Sequence, residues 1–167
     1  MDGNNIVLIG MPASGKSTVG VILAKLMGYD FIDTDLLIQR RAGMRLSEII
    51  EARGLQGFLA LEEAVCAGLE ADRAVIATGG SAVYGESGMA HLRELGRIVY
   101  LDVSLESLRG RLRDMRGRGV ALRPGQTLEE LYHERTALYR RWADVTVDEG
   151  GRTLEETVSA AVRALEG

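Results

Sequence analysis

Apolar residues recur along the chain in two patterns, short continuous runs and longer stretches with helical spacing. The first run, Ile6-Val7-Leu8-Ile9, is continuously apolar and rich in β-branched residues, as expected of a strand buried on both faces of a parallel sheet. Stretches with apolar residues three and four positions apart predict helices between such runs. Alternation of strands with helices predicts an α/β fold with a parallel sheet and right-handed crossovers. The predicted strands are 5–9, 29–33, 74–77, 97–102 and 144–148, and the predicted helices are 16–27, 35–42, 46–53, 57–72, 86–95, 105–115, 127–142 and 154–165.

The composition is that of an ordinary globular protein. The 167 residues suit one domain, and 46% of them are hydrophobic and 26% are charged. The net charge of −4 argues against a general nucleic-acid binder. No apolar run approaches the roughly 18 residues of a membrane span, and the N-terminus lacks the basic and apolar regions of a signal peptide. We therefore expect a cytoplasmic, monomeric protein with no nucleic-acid or membrane partner.

A complete phosphate-binding loop, G-x-x-x-x-G-K-S, occupies residues 10–17 directly after the first apolar run. In such a loop, backbone N–H groups and the N-terminus of the following helix attract phosphate oxygens. Lys16 can then reach the β- and γ-phosphates of ATP, and the Ser17 hydroxyl can bind Mg²⁺. The ATP-binding residues predicted here are Gly10, Ala13, Ser14, Gly15, Lys16, Ser17 and Thr18.

Two carboxylates follow the second predicted strand, in the sequence Asp33-Thr34-Asp35. Ligands of open parallel sheets bind beyond the carboxyl ends of the strands, so this pair is expected beside the phosphate-binding loop. One carboxylate can hold a metal ion and its waters while the other orients a substrate hydroxyl, an arrangement that phosphoryl transfer needs. The alternative interpretation is that the pair only caps the following helix.

Paired glycines follow the third predicted strand, in Thr78-Gly79-Gly80-Ser81. Glycines at this edge allow a ligand to approach the backbone closely and to bind its N–H groups, whereas the alternative is a flexible turn. We therefore predict that Gly79, Gly80 and Ser81 contribute to a substrate pocket.

Six arginines lie between residues 109 and 123, in a segment whose glycines interrupt the predicted helix. Such a segment is typical of a lid that closes arginines over a triphosphate and excludes water. The predicted lid covers residues 110–125, and the alternative is a solvated charged surface. Because no aromatic residue is interleaved with the arginines, stacking of nucleic-acid bases has little support.

These features together resemble the shikimate kinase family, a branch of the nucleoside-monophosphate-kinase-like P-loop proteins. The resemblance implies a single three-layer αβα domain over residues 1–167, with five parallel strands in the order 2-3-1-4-5 and a substrate-binding subdomain at about 34–60. It extends over nearly the whole chain and is carried by G-M-P-A-S-G-K-S-T at 10–18, D-T-D at 33–35, A-T-G-G at 77–80, Leu122-Arg123-Pro124, and Glu134-Arg135 followed by Ala137-Leu138-Tyr139-Arg140.

The resemblance also implies roles for individual residues. Asp33 would help to hold Mg²⁺, and Asp35 would bind and activate the substrate hydroxyl. Arg123 in the lid would contact phosphates, and Arg135 would bind the substrate carboxylate. Arg109 and Arg111 would lie near the adenine.

Two positions depart from the family's pattern. The family usually has Phe-Arg-Arg, with the first arginine forming half of a carboxylate clamp, where this chain has Phe58-Leu59-Ala60. Its three-glycine run is also cut to Gly79-Gly80-Ser81, which places a hydroxyl and a Cβ against the substrate. A charge-assisted hydrogen bond contributes about 1.5–3 kcal/mol, so Leu59 should weaken shikimate binding by about one to two orders of magnitude. The alternative is that Arg45 or Arg53 restores the clamp.

We therefore predict an ATP-dependent, Mg²⁺-requiring kinase of a small hydroxylated carboxylic acid, with Lys16, Asp35 and Arg123 as catalytic residues. Shikimate is the first predicted acceptor. A hydroxy amino acid such as homoserine is the alternative, because a pocket with two aspartates and one arginine suits a zwitterion. A nucleotide-binding module without transfer activity is a competing class. A nucleic-acid-binding protein that uses the lid arginines is another, although the acidic balance of the chain disfavours it.

Overall fold

The fold is built on a five-stranded parallel sheet. The structure, a computed structural model, describes residues 3–114 and 123–167. The strands are β1 Asn5–Ile9, β2 Asp30–Asp33, β3 Ala74–Ala77, β4 Gly96–Asp102 and β5 Val145–Asp148. They are ordered β2-β3-β1-β4-β5, and every pairing is parallel. The predicted α/β class and the order 2-3-1-4-5 are therefore confirmed.

Helices connect the strands at nearly the predicted positions. They are α1 Lys16–Met27, α2 Thr34–Ala42, α3 Leu46–Ala67, α4 Glu86–Leu95, α5 Leu105–Asp114, α6 Leu128–Trp142 and α7 Leu154–Glu166. A short 3-10 turn at Ala82–Tyr84 precedes α4 and was not predicted. None of the helices in the described parts of the chain is long and apolar enough to cross a membrane.

One helix differs from the prediction. The chain over α3 was expected to form two helices, 46–53 and 57–72, and the structure shows one element interrupted at Gly54, which has φ 72 and ψ 174. Glycine adopts this conformation at little cost, so the backbone can change direction there. The element ends at Ala67, before the Gly68 cap, rather than at residue 72.

The sheet lies between two helical layers because alternate strand residues face opposite sides. Val7 and Ile9 pack into one buried cluster with residues of α4 and α6. Ile6 and Leu8 pack into a second cluster with residues of α1 and α7. The predicted three-layer αβα architecture is therefore confirmed. A smaller third cluster joins α2 to α3 and consists of Ile38, Ile49, Phe58 and Val65.

Asn5 fixes the amino-terminal edge of the sheet. Its Nδ2 donates to the carbonyl oxygens of Ala71 (2.9 Å) and Leu95 (2.8 Å), and its Oδ1 accepts from the N–H of Ala74 (2.9 Å). The start of β1 is thus tied to the segments that enter β3 and β4. The carboxyl ends of the strands lie at the opposite edge, where ligands of open parallel sheets bind.

Candidate active site

The phosphate-binding loop joins β1 to α1, as the sequence motif predicts. The chain leaves β1 through Gly10 (φ 152) and enters α1 through Gly15 (φ 89). A Cβ on residue 10 would lie 2.9 Å from the carbonyl oxygen of Leu101 on β4, so this position requires glycine. Ala13 also has a positive φ of 65. Such a conformation costs a non-glycine residue about 1 kcal/mol or more, so the surrounding loop must hold it in place.

Lys16 is buried within this loop. Its Nζ donates to the carbonyl oxygens of Gly10 (2.8 Å) and Met11 (2.7 Å) and to Oγ of Ser14 (3.3 Å). Burial lowers the pKa of the Lys16 ammonium from 10.5 to about 8, an effect that the nearby Asp35 carboxylate opposes. These hydrogen bonds satisfy the buried ammonium within the loop itself.

The first aspartate of the D-T-D sequence faces the start of α1. Ser17 Oγ donates to Asp33 Oδ2 at 3.2 Å, and the other Asp33 oxygen accepts from the Asp35 N–H at 2.9 Å. Asp33 therefore caps α2 and also presents an oxygen beside Ser17. A hydroxyl and a carboxylate are ligands that suit Mg²⁺, which in nucleotide sites takes its remaining ligands from phosphates and water. The residues present thus fit a magnesium ion bound together with a nucleotide.

The second aspartate lies against the paired glycines after β3. A Cβ on residue 79 would lie 2.7 Å from Asp35 Oδ1 and 2.7 Å from Glu62 Oε2. The N–H of Gly79 donates to Thr34 Oγ1 at 3.3 Å. Two carboxyl groups, one from α2 and one from α3, therefore converge on a position where only glycine leaves them room.

Glu62 is a buried acid that lies outside the sequence motifs described above. It is 1% exposed, and its Oε1 accepts from Ser81 Oγ at 2.6 Å, whereas Oε2 has no hydrogen-bond partner among the described residues. Burial raises the pKa of Glu62 from 4.5 to about 7, and the hydrogen bond from Ser81 opposes this rise. The Ser81 hydroxyl, which was expected to face the substrate, is thus bound to Glu62. The sequence contains a signal for its burial, because Glu62 lies at helical spacing between Phe58 and Val65, two apolar residues that are also buried.

The second glycine, Gly80, is enclosed by the phosphate-binding loop and α6. A Cβ on residue 80 would lie 2.6 Å from Cδ of Pro12 and 3.0 Å from Nη1 of Arg135. Tyr139 Oη donates to the Gly80 carbonyl oxygen at 2.6 Å. Arg135 and Tyr139 lie one helical turn apart on α6. This helix therefore positions both the guanidinium and the turn formed by Gly79 and Gly80 (the glycine turn). Arg135 is 1% exposed.

A cavity of about 310 Å³ lies beside Arg135, between α3 and the start of α6. Leu59, at the position where the family usually has a clamp arginine, lines this cavity. Tyr84 also lines it, with its Oη 3.4 Å from Arg135 Nε and its ring centre 5.4 Å from Arg135 Cζ. Arg45 and Arg53, the arginines considered as replacements for the clamp, are exposed and do not line the cavity in the described structure.

Residues 115–122 of the predicted lid lie outside the described residues. At the end of the lid, Arg123 is exposed, and its Nη2 donates to Glu134 Oε1 at 3.0 Å. Gln126 Nε2 donates to the other oxygen of Glu134, also at 3.0 Å. Arg123 and Gln126 both line the cavity beside Arg135. Through these two hydrogen bonds, Glu134 holds the end of the predicted lid at the rim of this cavity.

The two arginines of α5 have different surroundings. Arg111 Nη1 donates to the carbonyl oxygen of Ala13 in the phosphate-binding loop at 3.0 Å and lies 3.9 Å from Glu149 Oε2. Glu149 follows β5 and was not predicted as a site residue, and burial raises its pKa from 4.5 to about 6. Arg109 instead forms a 3.5 Å ion pair with Glu129 at the surface. The structure therefore brings Arg111, but not Arg109, into contact with the loop.

Most of the predicted site residues meet at the carboxyl edge of the sheet. Thr18 is exposed on the first turn of α1, and Leu59 lies in the cavity wall. The residues that converge around the loop and the glycine turn are Lys16, Ser17, Asp33, Asp35, Gly79, Gly80, Ser81, Arg111 and Arg135.

Comparisons with known proteins match this geometry over the length of the chain. The family model for shikimate kinase matches residues 12–166. Shikimate kinase of Thiobacillus denitrificans is 41% identical over 167 residues, with 98% of this chain and 89% of the relative covered. Shikimate kinase of Geobacter sulfurreducens is 41% identical over 161 residues, with 95% of this chain and 88% of the relative covered.

Solved structures give the same result. Shikimate kinase from Acinetobacter baumannii in complex with shikimate superimposes with a TM-score of 0.84 and 31% sequence identity, covering 97% of this chain and 92% of that one. These comparisons point to one family. A family model matches nearly the whole chain, two relatives are 41% identical to it, and a solved structure shares its fold. The chain belongs to the shikimate kinase family.

Proposed function

We propose that this chain transfers the γ-phosphoryl group of ATP to a hydroxyl of shikimate, forming shikimate 3-phosphate and ADP. The observation that carries this proposal is the placement of Asp35 and Arg135 at the Gly79-Gly80 turn, next to the loop that holds Lys16. A carboxylate can accept a hydrogen bond from an alcohol, and a guanidinium can bind a carboxylate. These are the two kinds of group that a hydroxylated acid offers.

In the proposed reaction, the acceptor oxygen attacks the γ-phosphorus while the bond from that phosphorus to the ADP oxygen breaks. Asp35 orients the hydroxyl and takes its proton. Lys16 exchanges its loop carbonyls for β- and γ-phosphate oxygens, and Arg123 neutralises charge on the transferred group. A magnesium ion held by Ser17 and Asp33 would neutralise further charge on the phosphates.

Arg135 positions the acceptor by binding its carboxylate. Burial of the guanidinium against Gly80 strengthens this interaction, because charged pairs interact more strongly when they are shielded from water. The relatives named above are shikimate kinases, and one of them was solved with shikimate bound. This supports shikimate over homoserine as the acceptor on the same scaffold, even though Leu59 removes one guanidinium.

An acceptor panel tests the proposal directly. Purified protein with Mg-ATP is assayed for ADP release with shikimate, homoserine, gluconate or a nucleoside monophosphate. We expect kcat/KM for shikimate to exceed that of each other acceptor by at least about a hundredfold. Phosphorus NMR of the product then identifies the phosphorylated hydroxyl, and Lys16→Ala protein supplies the background rate.

The panel also separates the competing interpretations. Faster turnover of homoserine than of shikimate would replace shikimate by the amino acid as the acceptor. ATP binding with no acid-dependent ADP release would instead identify a nucleotide-binding module. Lys16→Ala protein that keeps more than about a tenth of the wild-type turnover would contradict the assigned role of the loop.

A further inference from the structure

The cavity beside Arg135, where the acceptor would bind (the acceptor cavity), is lined by one charged and one apolar side chain at the two positions of the family's carboxylate clamp. Arg135 contributes a buried guanidinium, whereas Leu59 in the cavity wall has no polar atom in its side chain. A carboxylate has two oxygens and is held in a fixed orientation best when each of them receives a donor. A second donor next to Arg135 would therefore decide how firmly the acceptor is oriented.

Tyr84 is the cavity-lining side chain that touches Arg135 with a hydroxyl group. Its Oη lies 3.4 Å from Arg135 Nε, and the guanidinium lies over its ring at 5.4 Å. The 3-10 turn at Ala82–Tyr84 follows the glycine turn directly, and Ala82 and Val83 are 4% and 3% exposed. Two buried neighbours therefore fix the position of Tyr84, unlike the exposed Arg123 at the same rim.

The chemistry of Tyr84 suits a donor. A phenol keeps its proton at neutral pH, and burial raises the pKa of Tyr84 further, so the hydroxyl does not repel the acceptor carboxylate as an anion. Arg135 Nε donates to the oxygen of this hydroxyl. A hydroxyl that accepts a hydrogen bond becomes a better donor, because hydrogen bonds in a chain polarise one another.

We propose that the Tyr84 hydroxyl donates to one oxygen of the acceptor carboxylate while the Arg135 guanidinium binds the other, so that Tyr84 takes the place of the second arginine. This inference rests on the proposed function, because it concerns how that acceptor is held. It assigns Tyr84 as a residue that determines specificity for a carboxylate.

Glu134 is the group that the acceptor would displace from Tyr84. Tyr84 Oη donates to Glu134 Oε1 at 2.8 Å, and the same carboxylate accepts from Arg123 and Gln126 at 3.0 Å each. When Tyr84 turns its proton toward the acceptor, Glu134 keeps its hydrogen bond from Gln126, even where Arg123 moves to the transferred phosphoryl group. The exchange therefore leaves no carboxylate without a partner.

The test compares an acid with an uncharged form of the same molecule. We would measure kcat/KM for shikimate and for shikimate methyl ester and take their ratio as the preference for the carboxylate. Tyr84→Phe should lower this ratio by about tenfold, since it removes one hydrogen bond to a charged group. In a Leu59→Arg background, where a second guanidinium is present, Tyr84→Phe should change the ratio by less than about twofold.

Glu134→Gln is the matched control, because it changes the hydrogen-bond partner of Tyr84 and leaves the Tyr84 hydroxyl in place. We expect this variant to keep or increase the wild-type ratio. A tyrosine that only braces Glu134 and the lid would give the opposite result, with Glu134→Gln lowering the ratio as Tyr84→Phe does.

The outcomes separate this inference from the proposed function. Wild-type protein that leaves shikimate unphosphorylated overturns the proposed function, and the inference falls with it. The inference alone is overturned if wild-type protein phosphorylates shikimate and Tyr84→Phe leaves the ratio of acid to ester unchanged. An equal loss of activity on both substrates gives this result.

Discussion

The Ser81 hydroxyl donates a 2.6 Å hydrogen bond to Oε1 of Glu62, a carboxyl group that is only 1% exposed. This contact joins the turn after β3 to α3. Where the family's pattern has a third glycine, the serine of this chain donates its hydroxyl hydrogen to a neighbouring acid. The other oxygen of Glu62 lies beside Gly79, where an oxygen of Asp35 also lies.

Replacing Glu62 by glutamine should stabilise the folded chain more at pH 8 than at pH 5, relative to wild type. Burial raises the pKa of Glu62 from 4.5 to about 7. The hydrogen bond from Ser81 and the nearby positive charges of Arg135 and Lys16 oppose this rise, and the negative charge of Asp35 adds to it. The folded chain therefore binds more protons than the unfolded chain in this window, and its stability falls as the pH rises through it. Urea denaturation at both pH values measures the difference, and an equal effect at pH 5 and pH 8 would contradict the assignment.

Glu63, the next residue, provides a control of opposite sign. Hydrogen bonds from the hydroxyl and N–H of Ser87 lower the pKa of this carboxyl group. Its contribution to stability is present above pH 4.5 and is lost as the pH falls, so Glu63→Gln should be neutral or mildly destabilising at pH 8. Both variants remove one negative charge, and only the buried one should gain relative stability as the pH rises.

Binding of Mg-ADP should weaken as the pH rises above about 8. The pKa of buried Lys16 is lowered to about 8, so above this pH the free enzyme holds a neutral amine that must take up a proton when phosphates arrive. Affinity should then fall by up to about tenfold for each further pH unit. Calorimetry at pH 7, 8 and 9 in two buffers measures both the affinity and the proton uptake.

Lys16→Arg is the control for this pH dependence. Arginine stays charged throughout the range, so its affinity for Mg-ADP should no longer fall above pH 8, although its different shape lowers the affinity at every pH. Wild-type binding without proton uptake at pH 9 would show that the ammonium keeps its charge in the empty site.

Gly79→Ala should reduce kcat by about a hundredfold or more with the fold retained. The new Cβ would lie 2.7 Å from oxygens of both Asp35 and Glu62, so at least one carboxyl group must move. Displacement of a reacting group by about 1 Å costs on the order of a hundredfold in rate. Gly68→Ala is the matched control, because its Cβ would meet the Ala64 carbonyl oxygen at 3.4 Å, an ordinary contact. Equal activity of the two variants would show that crowding of these two carboxyl groups does not limit the rate.

The sequence was sufficient to predict the sheet and one half of the site. Continuous apolar runs identify the strands because both faces of the sheet are covered, and the loop motif fixes where Lys16 and Ser17 lie. The carboxyl-edge rule then placed Asp33 and Asp35 beside the loop, where the structure also has them. Each of these positions could be predicted because it depends on neighbouring residues or on a general rule of parallel sheets, whereas the catalytic roles stay predictions.

The other half of the site depends on how distant helices approach each other. The contacts of Tyr84 with Glu134 and Arg135 join segments about 50 residues apart, and no local pattern specifies them. Gly54 interrupts α3 five residues before Leu59, which lines the cavity, and residue spacing does not show how the two parts of α3 are oriented. The burial of Glu62 was readable from helical spacing, whereas its bond to Ser81 was not.

The three hydrogen bonds that hold Lys16 within its own loop bear on what happens between successive turnovers. When ADP leaves, the Lys16 ammonium can form its hydrogen bonds with Gly10, Met11 and Ser14 again. It therefore does not need water to enter its buried position. An incoming triphosphate has to compete with these oxygens for the same protons. Part of the favourable free energy of nucleotide binding is therefore offset by the loss of these three hydrogen bonds.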